Sequence, residues 1–241
     1  LQLDDHLRRF YRSAKRIDID IPMPFEELRA MVLDFCRKID SPDAMAYVQA
    51  TRGVGMRGHA YRFAGGTPSL WVWVKPDMLD PMDRSYKCIT MEDTRYLHCD
   101  IKTINLLPAV IYTQRAEEAG CDETILHRGE RVTECAHSNV HILKDGVLKT
   151  APCDNLILPG ITRAHRIAQC REMGIPVVEE PFTLEEMMDA DEVFFTSASA
   201  LCCRIEEIDG KKVGGRDPEL IARIQKAAWD EALAEVKAIN G

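Results

Sequence analysis

Apolar residues recur at helical spacing twice near the start of the chain. Leu7, Phe10, Tyr11, Ala14 and Ile17 form the first stripe, with Arg8, Arg9, Arg12, Lys15 and Arg16 on the remaining positions. Pro22 and Pro24 interrupt it. Pro24 suits the start of a second helix, where a missing N–H costs nothing, and Phe25, Leu28, Val32, Phe35 and Ile39 mark that helix's apolar side. The Ser41-Pro42-Asp43 loop closes it. Two segments rich in β-formers follow, residues 44–51 and 69–75. Between them RGVGMRGHAYRF reads as a glycine-rich loop whose three arginines and one histidine make it an anion-binding candidate. Residues 76–84, with two prolines and three aspartates, read as a linker, which divides the chain into a domain over 1–80 and a larger one over 81–241.

The second half alternates short strands with helices. Strands are predicted over 86–92, 123–127, 131–135, 139–144, 147–150 and 192–196, and a hairpin over 204–213 turns at Gly210. A helix over 105–119 tolerates Pro108 only in its first turn and stops at Gly120. A second helix covers 162–173, and the Thr183-x-x-Glu186 spacing of a capping box opens a third. Asp217 and Pro218 start a last helix with Leu220, Ile221, Ile224, Ala228 and Leu233 on its inner face. The pattern predicts an α/β (α+β) chain: a small N-terminal α/β domain and a larger domain whose β-rich core is flanked by helices.

Composition narrows the function classes. The 241 residues are 46% apolar, enough for a proper core, and no apolar run reaches the ~20 residues that span a bilayer. No charged start followed by an apolar segment reads as a secretory signal. A net charge of -8 argues against a nucleic-acid partner. The nine cysteines are odd in number and irregular in spacing, so most of them are read as small buried apolar residues in a reducing cytoplasm. His137 and His141 lie four apart on predicted turn and strand rather than on a helix, and no metal site is expected.

The candidate chemistry centres on Lys102 in DIKTINLL, set between apolar residues just before a predicted helix. Partial desolvation favours a neutral lysine, a nucleophile toward carbonyls. Alone, such a lysine reads as a surface residue. Glu134 in RVTECAHSN precedes small polar residues, where bulky strand residues would be ordinary; such a segment lets backbone come close to a ligand. Ile161 and Thr162 open a helix whose free N–H groups favour an anion, and Gly160 gives the turn before it conformational freedom. Ser197-Ala198-Ser199 is a second small-residue turn, and Arg9 would bring a full charge from the first domain.

In this order and spacing, DIKTINLL, EAGCDETILHRGERVTE, SNVHILKDGVL, LPGITR and FTSAS resemble the fold-type IV pyridoxal-phosphate enzymes of the D-amino-acid and branched-chain transaminase family. The likeness covers nearly the whole chain and favours the D-amino-acid transaminases. It implies two α/β domains with the cofactor between them, a homodimer, and amino-group transfer between a D-amino acid such as D-alanine and a 2-oxo acid such as 2-oxoglutarate. It makes Lys102 the Schiff-base lysine and Glu134 the partner of the pyridine nitrogen. Leu158 would lie against the ring. Ile161, Thr162, Ser197, Ala198, Ser199 and Arg9 (in HLRRFYRSAKRI) would surround the phosphate. MRGHAYRF resembles the Arg-x-His segment that holds the substrate α-carboxylate, so Arg57 and His59 inherit that role, reaching into the neighbouring subunit. Relatives carry a further N-terminal segment, supplying strands of the small domain and a tyrosine. Ala198 stands where close relatives often have a hydroxyl residue, and Cys135 replaces a common glycine and is expected to crowd the cofactor. The alternatives are an (R)-selective amine transaminase, a branched-chain transaminase, an aminodeoxychorismate lyase, or a non-catalytic truncated relative.

Overall fold

The computed structural model describes every residue except Pro42, Gly65 and Gly241. The loop expected at Ser41-Pro42-Asp43 therefore lies partly outside the described residues. Contacts divide the chain into two units, Gln2–Met78 and Leu79–Gly241, with Leu1 joining the second.

In the smaller unit, α1 (Leu3–Arg16) and α2 (Phe25–Arg37) cover one face of an antiparallel ribbon of β1 (Ala44–Thr51) and β2 (Ser69–Pro76). The helical stripes meet there: Leu7, Leu28 and Val32 are buried, with Phe10, Tyr11, Phe25, Val48, Leu70 and Val72 packed around them. Strand alternation sends Leu70 and Val72 inward and leaves Trp71 and Trp73 exposed. A short 3₁₀ turn, Tyr61–Ala64, precedes β2.

The larger unit is built on one mixed sheet ordered β5-β4-β3-β10-β9-β6-β7-β8, with β11 paired to β10. Its strands are β3 (Tyr86–Glu92), β4 (Glu123–Arg128), β5 (Arg131–Cys135), β6 (Asn139–Lys144), β7 (Val147–Thr150), β8 (Val177–Glu179), β9 (Glu192–Thr196), β10 (Cys203–Ile208) and β11 (Lys211–Lys212). Helices α3 (Leu107–Glu118), α4 (Ile161–Glu172), α5 (Leu184–Met188) and α6 (Pro218–Asn240) accompany it. Neighbouring residues of one strand feed different cores. Phe194 joins Leu143, Leu148, Ile167 and Ile224, whereas Phe195 joins Val140, Ile142, Phe182 and Met187. The centre of the sheet is thus covered on both faces, and each such fully buried side chain contributes roughly 1.5–3 kcal/mol.

Three differences from the sequence pattern have physical causes. β8 went unpredicted because three residues show no period; Val177 gains its conformation by parallel pairing with Leu148. On α6 the inner face runs through Ala232, 4% exposed, and not Leu233, 41% exposed. The proline- and aspartate-rich linker is strapped down from residue 79: Tyr86 Oη donates to the Pro81 carbonyl at 2.8 Å, and Gln225 Nε2 to the Met82 carbonyl at 3.0 Å. One nearby and one distant side chain satisfy a backbone that locally promises only flexibility.

His141 on β6 is wholly buried, stacked 4.7 Å from the Phe194 ring, with Nε2 2.9 Å from Thr196 Oγ1 and, among the described residues, no hydrogen-bond partner for Nδ1. Burial, and then the charges of Arg163 and Arg166, push its pKa well below the ordinary 6.5. As pH falls below about 6.5 the unfolded chain takes up a proton that the native imidazole refuses, so stability is lost toward acid. His141→Phe should lose less stability than the wild type between about pH 7 and about pH 5, as followed by urea midpoints; parallel curves would contradict this account.

Candidate active site

β5 places Glu134 at the centre of a buried charge network. The residue is 5% exposed, not the solvent-facing strand glutamate that local sequence would favour. Arg95 Nη1 donates to Glu134 Oε1 at 2.5 Å. Asn139 Nδ2 and the Leu158 amide donate to Oε2 at 2.9 and 3.0 Å. Arg95 also grips Asp93 through Nε at 2.9 Å and Nη2 at 3.0 Å, and donates to the Leu156 carbonyl at 3.1 Å. Thr133 Oγ1 and Arg128 Nε complete the shell of Asp93 at 3.1 and 3.3 Å.

The two carboxylates respond differently. Burial opposes the charge on Asp93, but the hydrogen bonds and charge of Arg95 outweigh it and hold its pKa below the usual range. At Glu134 burial wins: its pKa is pushed up to about 7, with Arg95 and the Leu158 amide pulling it back only in part. Arg95 itself is held above its ordinary value: burial works against its charge, and Asp93 and Glu134 overcome that.

Cys135, next on the strand, is buried in the core with Cys88, Ile125 and Val132. Gly160 packs closely against the Asn139 side chain. A Cβ on Gly160 would lie 2.0 Å from Asn139 Oδ1. Gly160 has φ -63°, open to any residue, so space requires this glycine, not the turning freedom expected of it.

Gly160 leads into α4, whose first turn has no side-chain cap. The amides of Ile161 and Thr162 precede the helical ladder, which begins with Ala164 N–H to the Gly160 carbonyl at 3.1 Å. Thr162 Oγ1 donates to the Ser197 carbonyl at 2.7 Å, joining this helix end to the Ser197-Ala198-Ser199 turn after β9. Glu134, Leu158, Ile161, Thr162 and the serine turn are thereby linked within the larger unit.

Lys102 follows buried Cys99 and Ile101 in the coil before α3. Cys99 N–H bonds the Asn155 carbonyl at 3.1 Å, which together with the Arg95–Leu156 bond sets residues 95–99 against the loop leading to Leu158. The expected partial desolvation of Lys102 is not provided by its own chain segment. Lys102 is exposed, and its apolar neighbours Ile104, Leu106 and Leu107 face outward at 57%, 53% and 68% rather than sheathing it.

The remaining candidates belong to the smaller unit. Arg9 on α1 is buried, not part of a solvated basic face, with Nη2 3.4 Å from His6 Nδ1. Arg57 and His59 are exposed on the loop after β1. Gly58 between them packs so closely on the Phe63 ring that a Cβ would lie 2.3 Å from it, so the loop is pinned at this glycine.

The class IV amino-transferase family model matches residues 1–208. The chain belongs to the class IV aminotransferases. A D-alanine aminotransferase from Bacillus licheniformis is 37% identical over 236 residues, covering 97% of this chain and 83% of that protein. A D-alanine aminotransferase from Listeria monocytogenes serotype 4b is 40% identical over 235 residues, covering 95% and 81%. Among solved structures, the branched-chain aminotransferase of Thermoproteus uzoniensis superposes with a TM-score of 0.83 at 29% identity, over 95% of this chain and 77% of that one. The branched-chain amino acid aminotransferase of Escherichia coli gives 0.83 at 26%, over 95% and 78%. The fold is thus that of the class IV aminotransferases.

Arg95, Asp93 and Asn139 were not singled out from sequence. The signal for the first two was local: an Asp-x-Arg pair immediately after an apolar strand, where charges become buried only if they pair. Arg95→Met would leave Asp93 and Glu134 buried with much of their compensation gone, at a cost of roughly 3–5 kcal/mol. The loss in urea unfolding should shrink as pH falls and the carboxylates take up protons; a loss independent of pH would show that packing, not charge, is what Arg95 supplies.

Proposed function

We propose that this aminotransferase uses pyridoxal 5'-phosphate to move an amino group between a D-amino acid, D-alanine being representative, and a 2-oxo acid such as 2-oxoglutarate. The observation that carries the reading is the Glu134 carboxylate: buried, and oriented by three donors in the same unit as an uncapped helix end and the Lys102 segment. Glu134 Oε1 takes one donor while Oε2 takes two, which leaves an acceptor direction on Oε1. That fits the protonated ring nitrogen of the cofactor, and a cation there would favour the ionised form of a carboxyl otherwise poised near neutrality. The amides of Ile161 and Thr162 at the start of α4 fit its phosphate.

When bound, the cofactor supplies an electron sink that makes the substrate Cα–H acidic. Lys102 would hold the cofactor through its aldehyde, and its Nζ would hold the proton taken from the substrate Cα. Glu134 holds the proton on the ring nitrogen. Leu158, fixed by its amide to Glu134, lies against the ring. Ile161 and Thr162 hold the phosphate through their amides, the Ser197–Ser199 turn adds its polar groups, and Arg9 adds a full charge; Ala198 brings no hydroxyl. Arg57 and His59 bind the α-carboxylate, the arginine through its planar fork. The exposed apolar residues Ile104, Leu106, Leu107, Val110 and Ile111 support a homodimer. Nine free cysteines, six of them buried, support a reducing cytoplasm. No described helix is long and apolar enough to cross a membrane.

Borohydride reduction of the loaded protein should fix the cofactor to the peptide containing Lys102, and Lys102→Ala should lose activity by several orders of magnitude while keeping its fold. A label on another lysine would end the assignment.

Arg57→Ala should lower kcat/KM for D-alanine by roughly tenfold or more, the worth of a charge-assisted hydrogen bond. Simple amines without a carboxylate should be affected far less. If the D-alanine to amine ratio is unchanged in both Arg57→Ala and His59→Ala, this loop does not read the carboxylate, and an amine transaminase becomes the better reading.

A further inference from the structure

The serine turn after β9 is engaged by a residue that the transamination chemistry does not call for. Ser199 Oγ lies 2.7 Å from Asp80 Oδ2, and the Asp80 amide donates to the Ser199 carbonyl at 2.9 Å. A carboxylate only accepts, so the single hydroxyl proton of Ser199 is committed to Asp80. Ser197 Oγ lies 3.3 Å from Ser199 Oγ. With the Ser199 proton already spent, Ser197 is the donor in that contact. Ser197 Oγ also accepts from the amides of Ser199 at 3.3 Å and Ala200 at 3.0 Å. Both hydroxyl protons therefore point along a relay ending on Asp80, and two amides are tied up inside the turn. Ala198, between the serines, has no hydroxyl to offer. An anion approaching this turn meets donors already in use and a negative charge behind them.

We propose that Asp80 governs how tightly the cofactor phosphate is held, by competing with it for the hydroxyls of the Ser197–Ser199 turn. The inference rests on the phosphate site assigned above. The α4 amides hold the phosphate in either case; the turn contributes its hydroxyls only when Ser199 leaves Asp80. The carboxylate thus works against retention and keeps the cofactor exchangeable with the free pool. Asp80 sits where the chain is strapped to the larger unit, beside Pro81 and Met82, whose carbonyls are held by Tyr86 and Gln225. It therefore stays in place when Ser199 moves away.

The test uses cofactor-free protein titrated with pyridoxal phosphate, with pyridoxal, which lacks the phosphate, and with inorganic phosphate. Asp80→Asn keeps an acceptor for Ser199 and the backbone bond to its carbonyl but removes the charge; Asp80→Ala also releases the hydroxyl. Asp80→Ala should bind pyridoxal phosphate and inorganic phosphate roughly three- to tenfold more tightly, and Asp80→Asn, which removes the charge but still holds the hydroxyl, should gain less, with pyridoxal unchanged in both. Unchanged or weaker phosphate binding, or an equal gain for pyridoxal, overturns the proposal. Ser197→Ala separates the two levels of the reading. If it lowers the preference for pyridoxal phosphate over pyridoxal while the Asp80 variants leave that preference alone, only the role of Asp80 falls. If it too leaves the preference alone, the phosphate assignment falls and the role of Asp80 with it.

Discussion

The central constraint on this protein is that a carboxylate must be kept in a dry place, aimed, and able to carry charge. Burying an ion is costly unless it is paired and hydrogen-bonded. Arg95 meets that need by spanning Asp93 and Glu134, and Arg128 supplies a second cation to Asp93. The four charges cancel, yet they are not equivalent. Asp93 takes most of the hydrogen bonding and its pKa is held low, while burial pushes the pKa of Glu134 up to about 7. The site thus contains a carboxyl whose charge responds to what is placed beside it.

The same network organises the surrounding chain. Through Asp93 and Arg95 it fixes the segment that leads to Lys102, through Glu134 it fixes the end of β5, and through Leu156 and Leu158 it fixes the loop that enters α4. Three stretches far apart in sequence are set by one guanidinium and the two carboxylates it holds. The two helix starts in this region differ in how they are finished. α5 is closed by a full capping box between Thr183 and Glu186. α4 has no side-chain cap and turns the Thr162 hydroxyl toward Ser197. A helix end left without its own acceptor retains its attraction for a phosphate.

Periodicity was enough to locate nearly all the elements, because long amphipathic helices and β-rich segments bounded by glycine carry their signal locally. Pro24, Pro108, Gly120 and the Thr183–Glu186 pair marked boundaries for reasons of backbone chemistry that no tertiary contact alters. The motifs around Lys102, Glu134 and Leu158, in order along the chain, were also legible and led to the family.

Other features depended on neighbours brought in from a distance. β8 exists because β7 lies beside it, and the Met82 carbonyl is held by Gln225 from far along the chain. Gly160 is required by the Asn139 side chain, a neighbour that no local pattern reveals. Arg95 looks like a surface arginine until the fold places Glu134 against it, and Lys102 looks sheathed until its apolar neighbours are seen to face outward. The sequence alone determined the family and which segments become helix or strand, since these depend on residue type and local spacing. Only the tertiary structure decided which charges are buried, which donors are already spent and which glycines are there for space, since each of these is set by what lies across the fold.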